Sequence, residues 1–209
     1  MNGKDYKTPQ ESFWAGEFGD EYIDRNSYEN LLPKYIYEWS KILSGTRNIK
    51  SCIEFGANIG ANLKALQCLL PKIELSAIEI NEKACNNYLS TFIKTENIYR
   101  QSILEYSPQK QFDLVFVKGV LIHISPDDLQ SAYEKLYQSS GKYIVIAEYY
   151  NPTPVMVSYR GNTDKLFKRD FAGEFLDKYP DVKLINYGFQ YHRDNNFKSD
   201  DITWFLMEK

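Results

Sequence analysis

The run Cys52-Ile53-Glu54-Phe55-Gly56-Ala57-Asn58-Ile59-Gly60 constrains this chain more than any other stretch. A short apolar segment, Ser51–Phe55, enters it, and a segment with helical apolar spacing, Asn62–Leu70, leaves it. Acidic-x-Gly-x-x-x-Gly between a strand and a helix is the form of a nucleotide-cofactor loop. Gly56 allows a tight turn with no Cβ to clash, and Gly60 lets helix and ligand come close to the backbone. Asn58 stands where a further glycine is common, and asparagine tolerates left-handed backbone angles better than most residues. Taken alone, two glycines also fit a plain structural turn; the strand before them and the helix after them give the motif its weight.

The same alternation continues along the chain. Glu74–Ile80, Asn97–Gln101, Phe112–Lys118 and Lys142–Tyr149 read as further strands, with helices over Glu82–Ile93 and Ser125–Gln138. Ser125, Pro126, Asp127 and Asp128 carry the signature of a helix N-terminus. A helix over Tyr28–Leu43 precedes the series. A helix over Lys168–Tyr179 follows it, then two strands, Lys183–Tyr191 and Ile202–Glu208, joined at Asp194-Asn195-Asn196. This pattern predicts an α/β, Rossmann-like fold: a seven-stranded, mostly parallel sheet with a C-terminal antiparallel hairpin and helices on both faces. Residues 1–27 are an aromatic-rich segment before a binding domain at 28–209. An insertion at about 151–170 falls where open α/β sheets bind ligands.

Composition narrows the partners. The 209 residues carry a net charge of -3 with a pI near 5.5, and no basic stripe marks a phosphate backbone, so a nucleic-acid partner is disfavoured. Cys52, Cys68 and Cys85 lack metal-ligand spacing and lie in apolar patterns, which predicts reduced core cysteines in a cytoplasmic protein and no metal. The N-terminus has no signal-peptide pattern, and no run of 18 apolar residues suggests a membrane span. Seventeen tyrosines supply apolar area with polar tips, suited to core, surface or a polar cleft alike.

Several residues are candidates for chemistry. Glu79 ends the second strand 19 residues after Gly60, where a carboxylate accepts hydrogen bonds from ribose hydroxyls and repels a 2′-phosphate; a helix-capping acid is its other reading. His123 and Glu148, each beyond or at the end of a strand, are the candidate general bases. A lid residue and a paired acid are their respective alternatives. Arg160, Lys168 and Arg169, beside Tyr149, Tyr150 and Tyr159, form a basic set suited to a carboxylate or phosphate, or else a solvated charge run.

Five stretches carry a resemblance: Phe13–Tyr22, Glu54–Leu63, Val120–Ile124, Tyr159-Arg160-Gly161 and Phe167–Glu174. The chain resembles the class I S-adenosylmethionine (SAM) methyltransferases over residues 28–209, and on these five stretches it resembles, more narrowly, those associated with pseudaminic (nonulosonic) acid biosynthesis. The resemblance implies SAM as cofactor, with Gly56, Ala57, Asn58 and Gly60 around its methionine part and Glu54 receiving the charged amino-acid end. It places Glu79 on the ribose, with Ile80, Ser102 and Ile103 around the adenine. Gln101-Ser102 stands where many members have Asp. Lys118 and Gly119 would face the methyl-transfer centre, Trp14 or Phe13 the sulfonium, and Arg25 the SAM carboxylate. The implied acceptor is a small anionic sugar or sugar nucleotide held by Tyr22, Tyr149, Tyr159, Arg160, Lys168 and Arg169. An NAD-dependent oxidoreductase and a Rossmann-like binding protein without turnover remain the alternatives, and the oligomeric state is open.

Overall fold

Strand alternation sends Cys52 and Glu54 to one face of the sheet and Ile53 and Phe55 to the other, and both faces are covered. The computed structural model describes residues 6–157 and 166–209. Its strands are β1 (Ser51–Phe55), β2 (Glu74–Glu79), β3 (Ile98–Arg100), β4 (Phe112–Lys118), β5 (Ser140–Glu148), β6 (Val155–Met156), β7 (Phe167–Lys168), β8 (Lys183–Phe189) and β9 (Thr203–Glu208). Its helices are α1 (Pro9–Ala15), α2 (Glu17–Asp24), α3 (Tyr28–Leu43), α4 (Ala61–Leu69), α5 (Glu82–Asn87), α6 (Leu129–Ser139) and α7 (Phe171–Lys178). Seven strands form one sheet in the order β3-β2-β1-β4-β5-β9-β8. The first five are parallel, and β9 enters antiparallel between β5 and β8. β6 and β7 make a separate antiparallel ribbon.

One face buries Trp39 and Ile42 of α3 and Leu63 and Leu66 of α4 against Cys52, Leu114 and Phe116. The other buries Leu129, Tyr133 and Leu136 of α6 and Phe175 of α7 against Ile53, Val115 and Ile144. Each such side chain contributes about 1.5–3 kcal/mol by leaving water. This two-sided burial is why β4 carries the continuous apolar run Leu114–Val117.

Three helices differ from their sequence expectation. The predicted N-terminus at Ser125 is a backbone turn, with Asp128 N–H donating to Ser125 O at 2.9 Å. The helix α6 starts only at Leu129, the first of these residues buried in the core below it. The helix predicted over Glu82–Ile93 stops at Asn87 and tightens into a 3-10 turn at Leu89–Thr91. That turn brings Leu89 and Phe92 onto bare Gly60, where a Cβ would lie 2.6 Å and 2.7 Å from them. The helix expected from Lys168 starts at Phe171, because 167–168 pair with β6 and Asp170 caps the helix by accepting from Gly173 N–H. The cysteine expectation also needs correcting: Cys52 and Cys85 are buried, but Cys68 is exposed on the outer side of α4.

Gly60 has φ +76° as well as its tight surroundings. A G60A variant is expected to lose about 2–4 kcal/mol, from left-handed strain and overpacking together. Urea unfolding measures this, and an unchanged midpoint would show that the contact relaxes freely. Among the described residues, no helix is long and apolar enough to cross a membrane, and no cluster of metal-ligating side chains occurs.

Candidate active site

The strand order reverses between β1 and β4, so the loops leaving their carboxyl ends part to opposite sides and open a crevice. A cavity of about 260 Å³ lies there. It runs from Ser102 and Ile103 beyond β3, past Glu79 and Ile80, the Gly56–Asn58 turn, and Lys118 and Gly119, to Tyr149 beyond β5 and Ile202 before β9. Six strands at a spacing of about 4.8 Å make this edge roughly 24 Å long, more than one nucleoside needs.

The turn after β1 holds three left-handed residues, Gly56, Asn58 and Gly60. Gly56 N–H and Ala57 N–H donate to Ile78 O, and the Asn58 side chain accepts from Ile59 N–H at 2.6 Å. A Cβ on Gly56 would meet Val120 at 2.7 Å, so this turn and the one after β4 lie in contact.

Glu79 ties the turn to β2. Its Oε2 accepts from Asn58 N–H at 2.6 Å and its Oε1 from Asn81 N–H at 2.8 Å. Burial pushes its carboxyl up, and these backbone donors pull the other way. Asn81 in turn caps α5 through Ala84 N–H and donates from its side chain to Asp20 Oδ1 at 2.8 Å and Trp14 O at 3.3 Å. The two N-terminal helices are thereby pinned over the cavity.

Glu54 is 1% exposed. Its Oε1 accepts from the Asn62 side-chain amide at 2.7 Å, and Asn62 Oδ1 accepts from the Trp39 indole at 3.2 Å. Its Oε2 has no partner among the described residues, although the side chain lines the cavity. Burial holds this carboxyl well above the usual carboxylate range, with Asn62 and the Lys118 charge opposing the shift. On the same sheet face, Lys118 Nζ pairs with Glu38 in a buried ion pair and sits 3.8 Å from the Tyr35 ring centre.

The cavity roof is aromatic. Trp14 stands edge-on to Phe18 and Tyr22, and its ring centre is 4.7 Å from that of His123 in the 3-10 turn after β4. Trp14, Tyr22, His123 and Tyr149 all line the cavity. The Tyr149 hydroxyl is pushed up by burial and by Asp200 at the mouth.

Other expected residues lie elsewhere. Arg25 rests on its own helix, over Phe18 and Tyr22 and 4.0 Å from Glu21, and does not line the cavity. Glu148 sits on the opposite sheet face from Glu54, below the turn after β4, where its Oε1 accepts from Val120 and Leu121 N–H at 2.9 Å and 2.8 Å. Lys168 Nζ lies 5.0 Å from the Tyr149 ring centre in a shallow outer groove with Tyr187 and Asp201. Arg169 Nε pairs with Glu174 at 2.6 Å, and Tyr133 holds the other Glu174 oxygen. Tyr159 and Arg160 lie outside the described residues. Asn62, Trp39, Asn81 and Glu38 were missed by sequence reasoning, since each reads there as an ordinary helix residue or cap.

Burial pushes the Glu148 carboxyl up to about 8 from the ordinary 4.5. The folded protein therefore binds this proton more tightly than the unfolded chain does. The resulting stability is fully present below about pH 4.5 and is lost as pH rises through 8. Glu148→Gln keeps an acceptor for both N–H groups and removes the titration. The wild-type fall in unfolding free energy between about pH 6 and 9, on the order of 1–3 kcal/mol, should shrink in E148Q. Equal falls in the two proteins would remove Glu148 as its source.

No protein-family model matches the chain, and no curated protein matches it in sequence. Solved structures match over nearly its whole length. A SAM-dependent methyltransferase from Leishmania major aligns at TM-score 0.70 and 13% identity, covering 97% of this chain and 87% of its own. The 1,6-didemethyltoxoflavin N1-methyltransferase of Burkholderia thailandensis, solved with bound 1,6-didemethyltoxoflavin and S-adenosylhomocysteine, aligns at TM-score 0.71 and 11% identity, covering 99% of this chain and 92% of its own. The N-methyltransferase NodS of Bradyrhizobium japonicum, in complex with S-adenosylhomocysteine, aligns at 0.62 and 16%, covering 90% of each chain. This is the class I methyltransferase fold. In such a fold the crevice at the β1–β4 reversal is the expected ligand site, and the cavity described above occupies it.

Proposed function

We propose that this chain is a SAM-dependent methyltransferase acting on a small-molecule acceptor. The observation that carries the reading is Glu54 Oε2, a buried carboxylate oxygen without a described partner in the cavity wall beside a left-handed backbone turn. An ammonium group is the donor that best matches such an acid, and SAM bears one. When bound, SAM supplies an electrophilic methyl group. The protein's own residues bind and orient. Glu54 accepts from the ammonium, and the Gly56–Gly60 turn lets the methionine part approach. A carboxylate offers about four acceptor positions; Glu79 uses two on backbone N–H groups, which leaves the others for ribose hydroxyls. Ile80, Ser102 and Ile103 border the adenine end.

The β4–β9 end of the cavity is then the acceptor end, and Trp14, Tyr22, His123 and Tyr149 exclude water and set the approach there. His123 is the cavity-lining group suited to take a proton from a hydroxyl acceptor. Residues 1–27 act as a cover over the domain at 28–209, and the pins from Asn81 to Asp20 and Trp14 support this. A cytoplasmic setting is supported by three free cysteines. The finer reading, an anionic nonulosonic sugar as acceptor, rests on the sequence resemblance and on Arg160; Lys168 and Arg169 bring no charge to the described cavity. Titration calorimetry tests the main reading: S-adenosylhomocysteine should bind with micromolar affinity and NAD should not. No heat with S-adenosylhomocysteine would end it.

A further inference from the structure

The helix α1 buries one residue, and that residue is an acid. Glu11 is 8% exposed, although glutamates seldom leave water unpaired. Its Oε2 accepts from Thr8 N–H at 2.9 Å, while Thr8 Oγ1 accepts from Glu11 N–H at 3.1 Å. This capping box engages one carboxylate oxygen. The other, Oε1, is buried and has no partner among the described residues, and Glu11 lines the cavity. A buried acceptor of this kind is costly until a donor reaches it.

The course of α1 fixes which part of the cavity Glu11 serves. Lys7 Nζ lies 3.6 Å from Glu105 Oε1, and Glu105 N–H closes a turn on Ser102 O. The start of α1 therefore stands beside the segment that follows β3. One turn beyond Glu11, Trp14 reaches His123 in the turn after β4. Glu11 lies between these points, in a cavity wall shared with Ser102, Ile103 and Leu104. That segment brings no acid of its own: residues 101–104 read Gln-Ser-Ile-Leu, and Ser102 Oγ accepts from Leu104 N–H at 3.1 Å. Among the other acids of the cavity wall, Glu54 and Glu79 face the methionine and ribose parts in the reading above. Asp128 and Asp200 are less buried than Glu11.

We propose that Glu11 reads the adenine base, its Oε1 accepting a hydrogen bond from the exocyclic amino group of SAM. The assignment rests on the SAM reading and adds to it the residue that selects the base. An amino group at this position of the purine is a donor, whereas hypoxanthine places a carbonyl oxygen there, which a carboxylate repels. The N-terminal helices then take part in cofactor selection as well as in covering the cavity.

Titration calorimetry with S-adenosylhomocysteine and S-inosylhomocysteine, which differ at this one group, provides the test. The wild-type protein should prefer the adenosyl compound by at least about 10-fold, because a site built for a donor rejects the analogue that lacks it. Glu11→Gln can keep its oxygen on Thr8 N–H and turn its amide NH2 toward the base, so the two affinities should meet or reverse. Glu11→Ala removes the capping bond and the base contact together, and its two affinities should also meet. A role in the helix cap alone would weaken both ligands equally and leave their ratio untouched. A wild-type protein without the preference, or a preference that persists in E11A, would overturn the assignment while leaving the SAM reading intact. No binding of S-adenosylhomocysteine by the wild-type protein would end both.

Discussion

In a Glu79→Ala variant, affinity for S-adenosylhomocysteine falls about 100-fold, or about 2.7 kcal/mol. Two losses combine. The first is direct: on the proposed reading, the lone pairs left for ribose hydroxyls disappear. The second acts through the backbone. Glu79 holds Asn58 N–H and Asn81 N–H at once, so it fixes both the cofactor turn and the residue that pins the N-terminal cover. Hydrogen bonds to an ionised group are each worth about 1.5–3 kcal/mol, and both donors would lose their partner. Glu79→Gln should recover little, since its amide nitrogen would point at an N–H group where the carboxylate offered an acceptor. Calorimetry on both variants, with urea unfolding beside it, separates the contributions. Wild-type affinity in E79A together with reduced stability would make Glu79 a strut for the loop and nothing more.

The parts of this site that sequence exposes are those held by local chain chemistry. The helix over Tyr28–Leu43 and the strands Ser51–Phe55 and Phe112–Lys118 keep their expected bounds, because each carries the apolar spacing of its element. The glycine turn is legible because left-handed backbone restricts which residues can stand there. What sequence hides depends on packing between distant elements. Glu54 meets Asn62 and, through it, Trp39 only because α3 and α4 share one sheet face. Glu148 ends its strand as Glu79 does, yet it extends the alternation of Ile144 and Ile146 to the face opposite Glu54. Lys168 and Arg169 are sequence neighbours that part because a strand ends and a capped helix begins between them: one lies over Tyr149, the other on Glu174. Arg25 is taken up by the rings and the carboxylate of its own helix.

Lys118→Met lowers the unfolding free energy by about 3–5 kcal/mol, the loss that follows when one partner of a buried ion pair is removed. The Lys118 side chain is 5% exposed and that of Glu38 is 1%. They lie 80 residues apart in sequence. Lys118 is also the positive charge that opposes the upward shift of Glu54, and it lies over the Tyr35 ring. Methionine fills similar space but leaves the buried Glu38 carboxylate without its ion-pair partner. The double variant Lys118→Met with Glu38→Leu removes both charges and should regain most of the stability, since a matched apolar pair avoids the desolvation cost of the ions. It should not regain cofactor binding to the same degree, because Glu54 still lacks its neighbouring cation. Urea unfolding and S-adenosylhomocysteine titration on the two variants read these effects separately. If the double variant is no more stable than K118M, the pair is not the source of the loss, and Lys118 must act through its packing on Tyr35.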